Sequence, residues 1–346
     1  MIAAVFRGPG EMEATEVDVP EIGPDEVLMK VGANTLCGTD GRILRGEKTK
    51  GVRRPSILGH EFAGHVAQVG RQVRGFEVGM PVAMAPVIPD RKCFYCKHGM
   101  ENACSNRKAM GYEFDGGLSE YVLIPSVAIE AGNLFAARED LPSELLALAE
   151  PLSCCVNGHR RSRVGIDSTV LILGGGPIGI FHLQLSLLAG AGTVIVSEPS
   201  PFRRDFASGL GAQVVVDPTV EDLPSIVAET TGGVGVDSTI ICIGLPQLVN
   251  DALTMTRKGG RVNIFAGLSG RGWAHVEANL IHYNELEVTG TTAARRSDYE
   301  VALRLIESGR VEVKSMVTDR FPLQRASEAI AETMTGGENL KVAVVP

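Results

Sequence analysis

Directly after the apolar run at residues 170–173 comes Gly174-Gly175-Gly176-Pro177-Ile178-Gly179, and a helical pattern over 177–190 follows it. A strand that turns this sharply into a helix belongs to a parallel α/β unit, and glycines at this G-x-G-x-x-G spacing have separate tasks. Gly174 permits the tight turn, Gly176 lets backbone approach a pyrophosphate, and Gly179 allows the helix to pack closely on the strand. The helix start carries a partial positive charge of about half a unit, so phosphate is held there without a lysine. Nineteen residues past Gly179 (198 − 179 = 19), at the end of the next strand, Glu198 is placed to accept hydrogen bonds from an adenosine ribose and to repel a 2′-phosphate. Arg203 and Arg204 lie beyond it, inside the following helical stretch, so the pattern favours NAD over NADP. The plain alternative is a glycine-rich turn that binds nothing.

The same grammar continues down the chain. Apolar runs at 193–197, 214–216, 236–241 and 262–265 alternate with helical stretches such as 201–210, and each fits a buried strand of a doubly wound parallel sheet. The alternation stops near Val288-Thr289-Gly290. Residues 297–308 then read as a helix, and the final run Val342-Ala343-Val344-Val345 is expected to return to the first domain. Upstream, from Val5 to about Pro125, short β-type runs at 27–31, 62–69, 81–85 and 121–124 are broken by glycine and proline, which reads as a β-rich domain. Two domains suit 346 residues at roughly 100–200 residues each.

Charge narrows the partners. Thirty-three basic and 41 acidic side chains give 33 − 41 = −8, so no global positive field favours nucleic acid. Residues 168–197 carry no Asp, Glu, Lys or Arg, which raises the question of a membrane span; the glycines of the turn, Pro177, His182 and Gln184 argue against one. The N-terminus lacks the basic segment and apolar run of a secretion signal, and the expected location is the cytoplasm.

Seven cysteines in such a chain do not read as a disulfide framework. Three of them form Cys93-x2-Cys96-x7-Cys104, with Asp90 three residues upstream (93 − 90 = 3). Three thiolates and a carboxylate make a closed tetrahedral set expected to hold a structural zinc, the alternative being a metal-free lobe with reduced cysteines. A second set, Cys37, His60-Glu61 and Glu150, is scattered, and spacing alone does not join it. Thiolate, imidazole and carboxylate are the ligand types of catalytic zinc, whose incomplete protein set leaves a position for water or substrate. Each also has a plain reading: a buried thiol, a satisfied core histidine, a loop charge. The run His60-Glu61-Phe62-Ala63-Gly64-His65 resembles a metalloprotease signature, but its histidines are five apart (65 − 60 = 5) and on a helix would point about 140° apart. Cys154, Cys155 and Cys242 read as packing residues, and Trp273 has no reading.

In this order, Leu36-Cys37-Gly38-Thr39-Asp40, Gly59-His60-Glu61, the cysteine lobe, Asp115-Gly116-Gly117, Glu150-Pro151-Leu152, the glycine turn, and Glu198 with Arg203 resemble the zinc-dependent medium-chain dehydrogenase/reductase superfamily over essentially the whole chain. The sorbitol dehydrogenase-like polyol branch is the nearest in wording, Glu-Pro-Leu favouring it over threonine dehydrogenase. The resemblance implies an α/β fold: a GroES-like, β-rich catalytic domain from residues 1–153 and 291–346 around a Rossmann NAD-binding domain from 154–290, assembled as a dimer or homotetramer. It implies Cys37 and His60 as catalytic zinc ligands, with Glu61 and Glu150 binding the metal directly or through water. Thr39 matches a hydroxyl that relays the alcohol proton. Pro177, Ile178, Glu198 and Arg203 match positions around the dinucleotide, and Gly267, Leu268, Thr291 and Thr292 match segments near the nicotinamide. Two departures stand out: Arg42 replaces a histidine common in the family, and Asp90 replaces the first cysteine of the lobe. The segment Thr291-Thr292-Ala293 also lacks the arginine that sorbitol dehydrogenases place near substrate.

The expected activity is reversible hydride transfer from a secondary alcohol of a polyol or sugar, sorbitol- or galactitol-like, to NAD, with one catalytic and one structural zinc. A threonine or butanediol dehydrogenase built on the same site is the alternative within enzymes. A metallohydrolase and an NAD-binding protein without turnover are the alternatives from other classes.

Overall fold

The computed structural model describes residues 1–270, 272–336 and 338–346. Two compact units divide the chain: Met1–Ser153 with Ala293–Pro346, and Cys154–Thr292. The return to the first unit falls two residues past the expected position (293 − 291 = 2).

The second unit is built on the strands Thr169–Leu173, Thr193–Ser197, Val214–Val216, Val236–Ile241, Thr256–Ile264 and Glu287–Gly290. Every pairing among them is parallel, and, counting the strands in chain order, the sheet order is 3-2-1-4-5-6. The order reverses beside the first strand, the place where doubly wound sheets bind ligands at the carboxyl ends of their strands. Leu171, Ile195, Val216, Ile241 and Val262 form its core with Val249 and Leu253 from a covering helix. Central strands covered on both faces need uninterrupted apolar runs, which is why the sequence exposes them. Two strands are longer or later than periodicity predicts. The fifth begins at Thr256 and not near 262, because Arg257-Lys258-Gly259-Gly260 hides its first half; Val236 pairs with Thr256, and the Thr239 and Thr256 hydroxyls lie 2.8 Å apart. The sixth, Glu287–Gly290, sits at the sheet edge with Val288 exposed, so no apolar run marks it.

In the first unit the main sheet runs Leu134–Ala136, Pro81–Met84, Glu61–Val69, Val27–Thr35, Lys341–Val345, Val317–Pro322, with Tyr121–Ile124 also on Val27–Thr35. The tail therefore does return: Ala343 and Val344 pair antiparallel with Thr35 and Asn34. This register sets Lys341 beside Leu36, whose amide donates to the Val342 carbonyl at 2.9 Å. One core lies around Phe6, Leu36, Leu58 and Val342, and another around Met29, Phe62, Met84 and Ile124. Among the described residues no helix is long and apolar enough to cross a membrane; the uncharged stretch 168–197 holds the strand Thr169–Leu173, the helix Pro177–Leu188 and the strand Thr193–Ser197.

Candidate active site and dinucleotide turn

The candidate site of the first unit starts at the end of Val27–Thr35. The helix Gly38–Leu44 begins there with Cys37 at its N-cap, and Asp40, three residues on, accepts the Cys37 amide through Oδ2 at 3.0 Å. That satisfies one orphan donor of the helix start and fixes the Cys37 backbone. The other oxygen, Asp40 Oδ1, lies 3.3 Å from His60 Nδ1, with both side chains nearly or fully buried. A histidine whose Nδ1 faces a carboxylate presents Nε2 as its ligating nitrogen. His60 itself follows Gly59, whose φ of +93° is the left-handed region that a Cβ disfavours, and a Cβ there would come within 2.4 Å of Asn34 Oδ1. Because Glu61–Val69 is a strand and His65 is exposed, His60 and His65 share no helical face.

One ligand atom each from Cys37, His60 and Glu61 lie within 4.8 Å of one another. Thiolate, imidazole and carboxylate at this separation fit a divalent, borderline-soft cation. Glu61 is fully buried, and its Oε2 accepts from Thr35 Oγ1 at 2.5 Å and from Lys341 Nζ, which also donates to the Leu36 carbonyl at 2.8 Å. Burial disfavours the Lys341 ammonium, yet Glu61, Cys37 and Glu150 outweigh it and raise its pKa. His60 behaves alike: burial lowers its pKa, and Tyr112, Asp40 and Cys37 together hold it well above the ordinary value. Glu150 lies outside the three-residue group, in the first turn of the helix Ala149–Ser162, lining a small cavity with Ser153, Arg295 and the buried Tyr299. Thr39 is half-buried, and Arg42 Nη2 donates to its Oγ1 at 3.0 Å. Asp40, Lys341 and Tyr112 escape sequence reasoning as functional residues. Only Asp40 had a local signal, its capping position three residues after Cys37.

The cysteine lobe closes on itself. Asp90, Cys93, Cys96 and Cys104 each offer a ligand atom within 4.8 Å of the others, with Cys93 Sγ 3.6 Å from Cys96 Sγ and 3.8 Å from Cys104 Sγ. Four ligands about 2.3 Å from a tetrahedral zinc are about 3.8 Å apart, so the spacing fits that ion. Asp90 accepts from the amides of Lys92 and Cys93 at 2.9 and 3.0 Å and from Asn106 Nδ2 at 2.6 Å, and these bonds drive its pKa far below the carboxylate range. Burial and the neighbouring sulfurs push Cys96 up to about 12, while amides of Cys96 and Ser105 pull Cys93 down.

In the second unit the glycine turn has the geometry of a pyrophosphate cradle. Gly174 has φ +104°, Gly176 caps the helix Pro177–Leu188, and Pro177 opens it. A Cβ on Gly179 would stand 1.9 Å from the Gly174 carbonyl oxygen, whereas one on Gly176 meets nothing nearer than Arg203 Nη1 at 3.7 Å. Space is thus kept clear at Gly176 and contact is forced at Gly179. Glu198, nearly buried, accepts from the amides of Gly175 at 2.7 Å and Ser200 at 3.0 Å. Arg204 bonds the Glu198 carbonyl and pairs with Asp217, and Arg203 Nη1 is the atom nearest the open space at Gly176. Ile178 offers its carbonyl to Cys155 Sγ at 3.8 Å. Gly267 and Leu268 follow the fifth strand, exposed and half-buried; Thr291 donates to Asn263 Oδ1 at 3.0 Å, and the Thr292 carbonyl accepts from Asn157 at 3.4 Å.

Residues 23–131 match the alcohol dehydrogenase GroES-like domain family and residues 177–308 the zinc-binding dehydrogenase family. The chain is 36% identical to L-threonine 3-dehydrogenase of Thermococcus kodakarensis, over 96% of this chain and 94% of that protein. It is 32% identical to sorbitol dehydrogenase of Bacillus subtilis, over 100% of this chain and 97% of that protein. A threonine dehydrogenase and a sorbitol dehydrogenase thus stand at similar identity to this chain. A structure described as a zinc-binding dehydrogenase of Sinorhizobium meliloti 1021, with NADP bound, superposes with a TM-score of 0.93 at 35% identity, covering 100% of this chain and 99% of that one. The chain therefore belongs to the zinc-dependent medium-chain alcohol dehydrogenase family, with its GroES-like and Rossmann-type parts.

Proposed function

We propose that this chain oxidises a secondary alcohol of a polyol or sugar, reversibly, with NAD as hydride acceptor. The observation that carries the reading is the gathering of Cys37, from the start of one helix, with His60 and Glu61, from the start of a strand, within 4.8 Å. Cys37, His60 and Glu61 would hold a catalytic zinc, with Glu150 joining directly or through water, and Asp90, Cys93, Cys96 and Cys104 a structural one. Gly174, Gly176, Pro177, Ile178, Gly179, Glu198 and Arg203 would hold the dinucleotide, with Gly267, Leu268, Thr291 and Thr292 toward its nicotinamide end. When bound, these groups supply a Lewis acid that makes an alcohol more acidic and a ring that accepts hydride.

The chain's own contribution is orientation and proton handling. Asp40 holds Cys37 by its amide and faces His60, so two ligands share one support. Lys341 and Thr35 hold the Glu61 carboxylate. Thr39 takes the alcohol proton. Arg42 donates to Thr39 Oγ1 and has no acceptor site, so the proton leaves from half-exposed Thr39 to solvent and not through residue 42. The Glu198 carboxylate at the ribose position supports NAD over NADP.

The test is replacement of Cys37 or His60, which should abolish NAD reduction on every alcohol while NAD binding persists; normal turnover in either variant rejects the assignment. A threonine or butanediol substrate remains the second reading, supported by the threonine 3-dehydrogenase relative, and a substrate panel separates them. We also propose a homo-oligomer, dimer or tetramer, supported by the exposed apolar side chains Trp273, Val276, Tyr283 and Val288 of the second unit, the last on its edge strand Glu287–Gly290. A cytoplasmic location is supported by seven cysteines that are all free.

A further inference from the structure

Six of the chain's 33 basic residues fall within the 13 residues 42–54, against one acid, Glu47, in a protein of net charge −8. Three of the six are accounted for: Arg45 pairs with Glu47 at 2.6 Å, Arg53 with Asp115 at 2.6 Å, and Arg54 lies over the Phe6 ring. Arg42, Lys48 and Lys50 have no ion pair among the described residues. Two of these border the candidate metal site. Arg42 reaches Thr39, two residues from Cys37, and Lys48 Nζ stands 5.1 Å from the centroid of the Tyr112 ring, itself 5.6 Å from the His60 ring. The Lys48 amide donates to the Arg42 carbonyl at 3.2 Å, tying the two together.

We infer that Arg42 and Lys48 form an anion-binding edge of this site, so that the alcohol oxidised by this chain carries a phosphate monoester or a carboxylate. The inference rests on the dehydrogenase reading above and names its substrate class. Arg42 spends one nitrogen on Thr39 and keeps further donors in its planar fork for an oxyanion. Half-buried Lys48 is disfavoured as an ammonium by burial and then by repulsion from Arg42 and Arg107; Glu113, which opposes this, is bonded to the Ala109 amide at 2.9 Å. Arg107, held on the Asn102 carbonyl at 2.7 Å, adds to the positive charge of the edge. An arriving anion relieves that repulsion and gains charge-assisted hydrogen bonds, whereas a neutral polyol offers neither.

The experiment compares kcat/KM for sorbitol, sorbitol 6-phosphate and L-threonine in the intact zinc-loaded protein, and the binding of inorganic phosphate by calorimetry with NAD saturating. The expected result is a preference of about tenfold or more over sorbitol for an alcohol bearing a phosphate monoester or a carboxylate, weakening with salt, and reduced severalfold in both Lys48→Gln and Arg42→Gln. Phosphate binding should weaken in the same variants. Whether sorbitol 6-phosphate or L-threonine, a zwitterion bearing a carboxylate, wins identifies phosphate or carboxylate as the recognised group. Equal or better turnover of sorbitol, with a ratio that neither variant changes, overturns the inference and leaves the dehydrogenase reading standing. No NAD reduction with any alcohol overturns that reading, and this inference with it.

Discussion

Lys341 Nζ donates to Glu61 Oε2 across 280 residues of sequence, joining the last strand of the chain to the residue beside His60. Both side chains are buried, and the Leu36 carbonyl and Thr35 hydroxyl complete their hydrogen bonding. A buried pair of this kind contributes little net stability against an apolar replacement, but removing one partner strands the other charge.

Lys341→Met should therefore lower stability by about 3–5 kcal/mol, read as a shift in the urea midpoint with unchanged slope. Adding Glu61→Leu to it should recover much of that loss while removing a carboxylate of the proposed metal site. A single-variant loss under about 1 kcal/mol would mean that water replaces the ammonium at Glu61.

The two glycines of the turn should separate folding from binding. Gly179→Ala forces a Cβ against the Gly174 carbonyl at 1.9 Å and is expected to destabilise the second unit by several kcal/mol, about the scale of a severe backbone clash. Gly176→Ala has free space around its Cβ, so its melting temperature should stay near wild type while NAD affinity falls about tenfold or more, as measured by fluorescence titration.

At the cysteine lobe, Asp90→Ala removes the carboxylate of the proposed fourth ligand, which is also the acceptor for two backbone amides and Asn106. We expect one metal per chain to be lost on dialysis against a chelator, by elemental analysis, with the lobe becoming protease-sensitive. Asp90→Cys should retain that metal more tightly than wild type, since thiolate is the softer ligand.

Acid should weaken the second unit through two histidines. Burial lowers His159 to about 4 and His182, with a further push from His159, to about 3, and neither ring nitrogen of His182 has a partner among the described residues. Their folded pKa values lie below the ordinary 6.5, so the unfolded chain binds more protons once the pH drops under that value. Their contribution is fully present above about pH 6.5 and is lost toward pH 4 and 3, at up to about 1.4 kcal/mol per pH unit for each group. His182→Leu should flatten the fall in stability between pH 6.5 and 4, measured by urea unfolding; an unchanged slope would assign the acid lability elsewhere.

What the sequence determined by itself is what neighbouring residues encode. Buried parallel strands need apolar runs, so 170–173, 193–197, 214–216 and 236–241 are legible, and the glycine turn is legible because its steric demands are met within six residues. The edge strand Glu287–Gly290 was not, because an exposed edge needs no apolar run. The cysteine lobe is nearly local, its four ligands lying within 15 residues (104 − 90 + 1 = 15). Cys37, His60 and Glu61 were visible only as separate candidates, and Asp40 as a residue of the quoted motif. That Asp40 faces His60, that Lys341 reaches Glu61, and that Tyr112 lies against both His60 and Lys48 was decided by tertiary structure alone. Those contacts depend on which strand pairs with which and in what register, and local periodicity carries no record of a partner that arrives from far along the chain.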